Sequence, residues 1–372
     1  MRLVAAVIAA AFAGTPLLSQ TQTPVPTGKS EALITGGSLY VEEDMFLDGY
    51  IDGLNSDRNY TGGLGIQLNG RIAAVTMGRP LSVLDQAVAL LGIPVRREHR
   101  QAERYQHSLM LTGVAFTPED LDNPVPQAGD RPFSSLIALS GRTASVDTTG
   151  MMSWHSELTV GVLGTHVARN AQRWIHQQWR DRTGEATPVD PTPGWENQVS
   201  AGGEPTAMYT VGFERLLGQS GDRGAQPQNR LPAWWQVSWG ASGSAGYYTQ
   251  LAASATVRAG VIRNEFWTYR GNPMGNTNVG VGTWIQQHPL DANVFVTVRP
   301  RLVAYNALLE GQFRESAHTQ PARPGVLDFE TGLNLGYGRF SGTWILIAGR
   351  SPEFSGSDRW HTWASFFVSV QS

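Results

Sequence analysis

Three long stretches of this chain alternate apolar and polar side chains with a period of two. Phe329, Thr331, Leu333, Leu335 and Tyr337 fall on one face of a strand, with Glu330, Gly332, Asn334, Gly336 and Gly338 on the other. Leu251, Ala253, Ala255, Val257, Ala259 and Val261 oppose Gln250, Ser254, Thr256, Arg258 and Gly260. Val294, Val296, Val298, Leu302 and Ala304 oppose Thr297, Arg299 and Arg301. Successive side chains of a strand point to opposite faces, so each stretch has one apolar face and one of charge, amide and glycine. A soluble sandwich also alternates, but its strands usually stop at about five or six residues. Strands this long fit a wall that shows apolar groups to lipid and polar groups to a lumen. The expected fold is all-β, a transmembrane antiparallel β-barrel.

The N-terminus agrees with an exported protein. Arg2 precedes an apolar run from Leu3 to Ala13, and Gly14, Pro16 and Ser19 follow. Residues 1–20 are therefore expected to be a signal peptide, cleaved after Ala13 or near Gln20. The apolar run is too short for a membrane-spanning helix. Residues 21–33, rich in Pro and Thr, read as a linker, and 34–372 as the barrel. Cysteine is absent, so neither a disulfide framework nor a thiol nucleophile is available. Net charge is −3 and Lys29 is the only lysine, which gives nucleic acid no basic footprint.

Two stretches break the strand rhythm. Leu81–Leu91 has helical spacing and is expected as an interfacial or periplasmic helix. The segment from Leu163 to His176 places Gln172 and His176 four residues apart, on one helical face and within about 5–6 Å at Cβ. A neutral His there can act as general base on water; the plainer role is structural or exposed. A polar stretch, Arg180–Gly194, follows and reads as a surface loop. Near the start, Glu42, Glu43 and Asp44 precede the run Asp57–Thr61. Their oxygens suit a hard cation such as calcium, while an acidic strand end in water is the plain alternative. Consecutive acids alternate faces, so Glu43 and Asp44 cannot share the lumen unless the strand ends or bulges. No Gly-x-Ser-x-Gly elbow is present, which argues against serine hydrolases of that class.

Several motifs, in order along the chain, together resemble the outer-membrane lipid A 3′-O-deacylase family of the LpxR type. They are YVEEDMF (40–46), DRNYTGGL (57–64), FTPEDL (116–121), GDRPFSS (129–135), the Leu163–His176 segment and GWENQ (194–198). GEP (203–205), the run Trp239–Gly260, YNALLEGQ (305–312) and RSPEF (350–354) complete the set. The resemblance implies an outer-membrane barrel of about 12 strands. It places the site between the wall and a short extracellular-loop helix. It also implies calcium-dependent hydrolysis of the 3′-linked acyloxyacyl ester of lipid A, with a logic like that of secreted phospholipase A2.

Carried onto this chain, the catalytic His is His176 and the helix Gln is Gln172. The Asn-Asp pair of the first strand falls on Glu43 and Asp44, and a Thr falls on Thr61. Three positions depart from the pattern. Glu stands at 43 in place of Asn. The lysine of the loop after FTPEDL has no counterpart, and Arg131 is the cationic stand-in. Thr165 replaces the Pro at the helix start. The expected acid after the His falls near Asp181. The implied assignment is His176, Gln172, Thr61 and Arg131 for catalysis, Asp44 and Glu43 for Ca²⁺, and lipid A or lipopolysaccharide as partner. The alternatives are an inactive structural barrel of the same family and a phospholipase acting on glycerolipids.

Overall fold

The computed structural model describes residues 32–43, 62–102, 104–121, 123–183, 193–221, 232–267 and 290–371. The predicted signal peptide and most of the linker, Asp44 and Thr61 lie outside them. The strands are β1 (Gly36–Glu43), β2 (Gly62–Asn69), β3 (Arg104–Phe116), β4 (Ser134–Val146), β5 (Met152–Leu163) and β6 (Glu204–Gln219), followed by β7 (Ala233–Gly246), β8 (Tyr248–Ile262), β9 (Asp291–Asn306), β10 (Gly325–Tyr337), β11 (Phe340–Arg350) and β12 (His361–Gln371). They form one closed antiparallel barrel in chain order, with β1 sealed against β12 from Gly36↔Gln371 to Glu43↔Ala364. Closure leaves no unpaired edge, which is what a sheet needs in a solvent that offers no hydrogen bonds.

The alternation seen in the sequence is the inside and outside of this wall. On β9, Val294 and Leu302 are 58% and 65% exposed on the outer face, while Arg299 and Arg301 are each 2% exposed within. The 13 residues of β10 extend about 43 Å, or roughly 30 Å across a membrane when tilted. No described helix is long and apolar enough to cross a membrane. The strands do the crossing.

The lumen is filled. Arg301 and Arg350 both donate to Asp328 Oδ1, at 3.1 and 2.9 Å, and Arg350 also pairs with Glu353 at 3.0 Å. Charges buried this deeply persist only when paired. Toward the rim opposite the termini, Tyr247, Tyr248 and Val303 join an apolar plug. A short helix that follows β9 contributes its fully buried Ala307 and Leu308.

Three longer helical pieces interrupt the barrel: α1 (Arg71–Ala89), α2 (Val95–Gln101) and α3 (His166–Thr183). α1 begins at Arg71, well before the expected Leu81, because Gly78 and Pro80 within it mask its periodicity. Its first N–H groups donate to the carbonyls of Ala32 and Leu33, which supplies the caps that a helix start lacks. Met77 and Leu81 pack on Leu158 of β5, and a Cβ on Gly141 would overlap Met77. Gly141 pairs with Leu109 and Leu158, on the face opposite Arg142 and Glu157, so α1 lies on the outside of the wall. α2 follows it there, with His99 bonded to Ser145 and Ser156 at 2.8 and 3.3 Å. The expected loop at 180–194 is helical through Thr183, because no breaker precedes Gly184. Pro193–Asn197 forms a 3₁₀ turn, and residues 184–192 lie outside the described part.

Candidate active site

α3 leaves the wall at a point only glycine can occupy. Gly164 has φ +65°, and a Cβ there would sit on the Ser200 carbonyl. The amide of Gly164 donates to the Ser135 carbonyl at 2.9 Å. The Thr165 carbonyl takes hydrogen bonds from Ser135 Oγ and Gln198 Nε2, at 3.3 and 3.4 Å. The helix root is thus tied to β4 and to the chain that returns toward β6.

Two further contacts hold the first turns of α3 against the 3₁₀ turn. Arg169 pairs with Glu196, and the indole N–H of Trp195 donates to Gln172 Oε1 at 2.6 Å. Trp195 is fully buried and Gln172 is 6% exposed. Phe133, at the entry to β4, packs on Trp195 with ring centroids 5.0 Å apart. The far side of the helix shows Val167 and Trp174, seven residues apart and about half exposed. The backbone carries the helix through His176, one turn and about 6 Å of rise beyond Gln172.

At the end of β1 the acids separate as alternation requires. Glu42 turns into the lumen, where it accepts from Ser365 Oγ at 3.1 Å. Glu43 turns outward, and its Oε2 would lie 3.0 Å from a Cβ on Gly62 at the start of β2. Thr61 and Asp44 adjoin these two residues in sequence. The predicted donors are carboxylate and hydroxyl oxygens, a set that fits calcium. Of Asp44, Glu43 and Thr61, Glu43 is the one among the described residues.

Arg131 lies in the barrel mouth. Its guanidinium is fully buried, pairs with Glu353 and stacks 3.9 Å from the centroid of Phe116. Burial, with neighbouring Arg350 adding to it, pushes Arg131 down to about 9. Two residues on, Phe133 meets Trp195, so Arg131 braces the loop that carries this contact.

Sequence reasoning passed over Trp195, Phe133 and Glu196. GWENQ was visible as a motif, but nothing in its spacing tells which helix its Trp would bond.

A family model described as outer membrane protein LpxR matches residues 3–372. The chain belongs to the LpxR family. Among solved structures, LpxR from Salmonella typhimurium is similar at 16% identity and a TM-score of 0.65, over 90% of this chain and 99% of that one. The β domain of the Bordetella autotransporter BrkA is similar at 8% identity and a TM-score of 0.37, over 91% and 99%. No curated protein matches. As an LpxR-family barrel the chain resides in the outer membrane; its fold is the antiparallel barrel expected from the alternation, with the twelve strands that the resemblance implies.

Proposed function

We propose that this LpxR-family protein hydrolyses the 3′-linked acyloxyacyl ester of lipid A, with His176 as general base and a calcium ion held by Asp44 and Glu43. The observation that carries this reading is where α3 sits. The lumen is packed with paired charge and apolar side chains, so a lipid cannot be processed inside the barrel. α3 is clasped at the rim opposite the termini, beside the ends of strands whose outer faces are apolar. A lipid of the outer leaflet reaches that place sideways, without leaving the membrane.

In this reading His176 takes a proton from water and the oxygen adds to the acyl carbonyl; collapse of the tetrahedral adduct breaks the ester bond, the fatty acid departs, and the leaving sugar oxygen takes the proton back from His176. Gln172, one turn away, is fixed by Trp195 beside the reacting group. Thr61 helps to orient the cation site, and Arg131 acts from within the mouth by holding the 117–133 loop. Glu43 and Asp44 would hold calcium, which would supply positive charge where an oxyanion develops. Beyond Arg169, which Glu196 pairs, α3 carries Arg173, Arg180 and Arg182 against Asp181, a charge balance suited to the phosphates of lipid A.

Mass spectrometry of lipid A from cells with and without the protein tests the proposal. The expected result is loss of the 3′-linked acyloxyacyl group. His176→Ala, or chelation of calcium, should cut the rate by at least about 10²-fold, while the barrel remains heat-modifiable on gels. An unchanged acylation pattern with calcium present would favour an inactive barrel, a reading that Glu43 motivates. Released lysophospholipid would point to a phospholipase.

A further inference from the structure

The contact between Trp195 and Gln172 settles a question that the spacing of Gln172 and His176 leaves open: which end of the Gln172 amide faces the site. The oxygen and nitrogen of a glutamine amide are usually assigned only from their hydrogen-bond network. Here the partner decides. An indole nitrogen can donate but never accept, so the atom 2.6 Å from Trp195 Nε1 is the Gln172 oxygen. Nε2 must then point the other way. It is buried, and it meets no acceptor among the described residues. A buried donor without an acceptor costs about 1–3 kcal/mol, so this N–H group gains from an acceptor brought to it.

The clasp that fixes this orientation is stiff. Trp195 is enclosed, with Phe133 against it. Phe133 is anchored through its carbonyl by the Val199 amide at 2.8 Å. Gly194 leaves no room for a side chain, since a Cβ there would overlap the Phe133 ring and lie 2.9 Å from the Asn123 carbonyl. The indole cannot swing away without disturbing all of these contacts.

We infer that Trp195 is a positioning residue that makes Gln172 an obligatory hydrogen-bond donor toward the acyl oxygen. This rests on the deacylase reading and sharpens it. The Gln172 oxygen is already engaged by Trp195, so the end of the amide left without a partner among the described residues is its donor. In this reading that donor serves the carbonyl oxygen that gains charge. Trp195 touches neither substrate nor metal and acts only through the amide it orients.

A double-mutant cycle tests the inference. Trp195→Phe keeps the ring on Phe133 but removes the N–H, which frees the amide to rotate. The expected result is a fall in kcat of roughly 10- to 100-fold with KM within about twofold. The pH profile of kcat/KM should not move. Trp195→His, which restores a ring N–H, should recover part of the rate. In a Gln172→Leu background, Trp195→Phe should have no further effect, because no amide remains to orient. Full activity of Trp195→Phe overturns the inference, and so does an equal loss in both backgrounds, which is what a packing role would give.

A measurement independent of turnover accompanies the cycle. The Trp195 indole N–H, observed by NMR in ¹⁵N-tryptophan-labelled protein in detergent, should exchange slowly and shift on Gln172→Leu. Rapid exchange with no shift overturns the clasp. Wild-type protein that leaves lipid A intact overturns the deacylase reading instead, and the indole resonance then decides the clasp alone.

Discussion

Two helical excursions lie at opposite rims of this barrel, and they are held by opposite kinds of contact. At the rim of the termini, α1 is bound through Met77 and Leu81 on Leu158, with its deepest polar group satisfied: Tyr209 donates to Asp85 at 2.8 Å. At the other rim, α3 is bound through a glycine hinge, an ion pair and the Trp195–Gln172 hydrogen bond, and it keeps a buried donor unused. The first arrangement spends its contacts on attachment. The second leaves a donor of its own helix buried without an acceptor among the described residues. Val75, Val83 and Leu90 on the exposed side of α1 extend the apolar surface of the wall, as befits a helix lying at a membrane interface.

If the comparison is right, the two helices respond differently to substitution. The largest effect is expected at the hinge. Gly164→Ala meets both a left-handed φ and the Ser200 carbonyl, so α3 must move; deacylation of lipid A should fall by about 10²-fold or more, with the barrel intact on gels. Wild-type activity would show that the position of α3 does not matter. Next comes Gly141→Val, which drives a side chain into Met77 and should destabilise by about 1–3 kcal/mol in denaturant titration. Deacylation per folded molecule should be unchanged. A matching loss of activity would mean that the two rims are coupled.

Tyr209→Phe removes the hydroxyl from Asp85, whose carboxyl burial already pushes upward. The expected cost is about 1–2 kcal/mol, read by the same titration. A pH response of α2 is expected to be of similar size. Burial, together with the nearby charges of His107 and Arg142, holds His99 down to about 3 from an ordinary 6.5. The folded form keeps the ring neutral and the unfolded form protonates it. The contribution is therefore complete above about pH 6.5 and is lost as pH falls toward 3, by about 2 kcal/mol at pH 5. Protection factors across Val95–Gln101, with the intrinsic pH dependence of amide exchange divided out, should fall at pH 5 relative to pH 7.5, while those across α3 should not.

Much of this was legible in the chain. The alternation of β8, β9 and β10 predicts which side chains face out, and the structure places Val294 outside and Arg299 inside as the pattern requires. The Leu163–His176 segment was visible as a helix for the same reason, a period that local sterics impose. Arg131 was legible only as a cation in the right loop. Its burial against Glu353 brings together residues 222 positions apart, and no local pattern encodes such a pairing. The early start of α1 was hidden because Gly78 and Pro80 argue against a helix that tertiary packing on the wall then stabilises.

The sequence by itself determined the barrel. A chain in lipid must pair every backbone group and show an apolar exterior, and only a closed wall of long alternating strands does both. It also determined the four-residue spacing of Gln172 and His176. The tertiary structure alone decided that Glu42 serves the lumen while Glu43 faces outward, that α1 lies outside the wall, and that Trp195 takes the Gln172 oxygen. Each of these depends on which distant segments meet. Pairing across the barrel sets that, and the local periodicity of a single strand or helix does not.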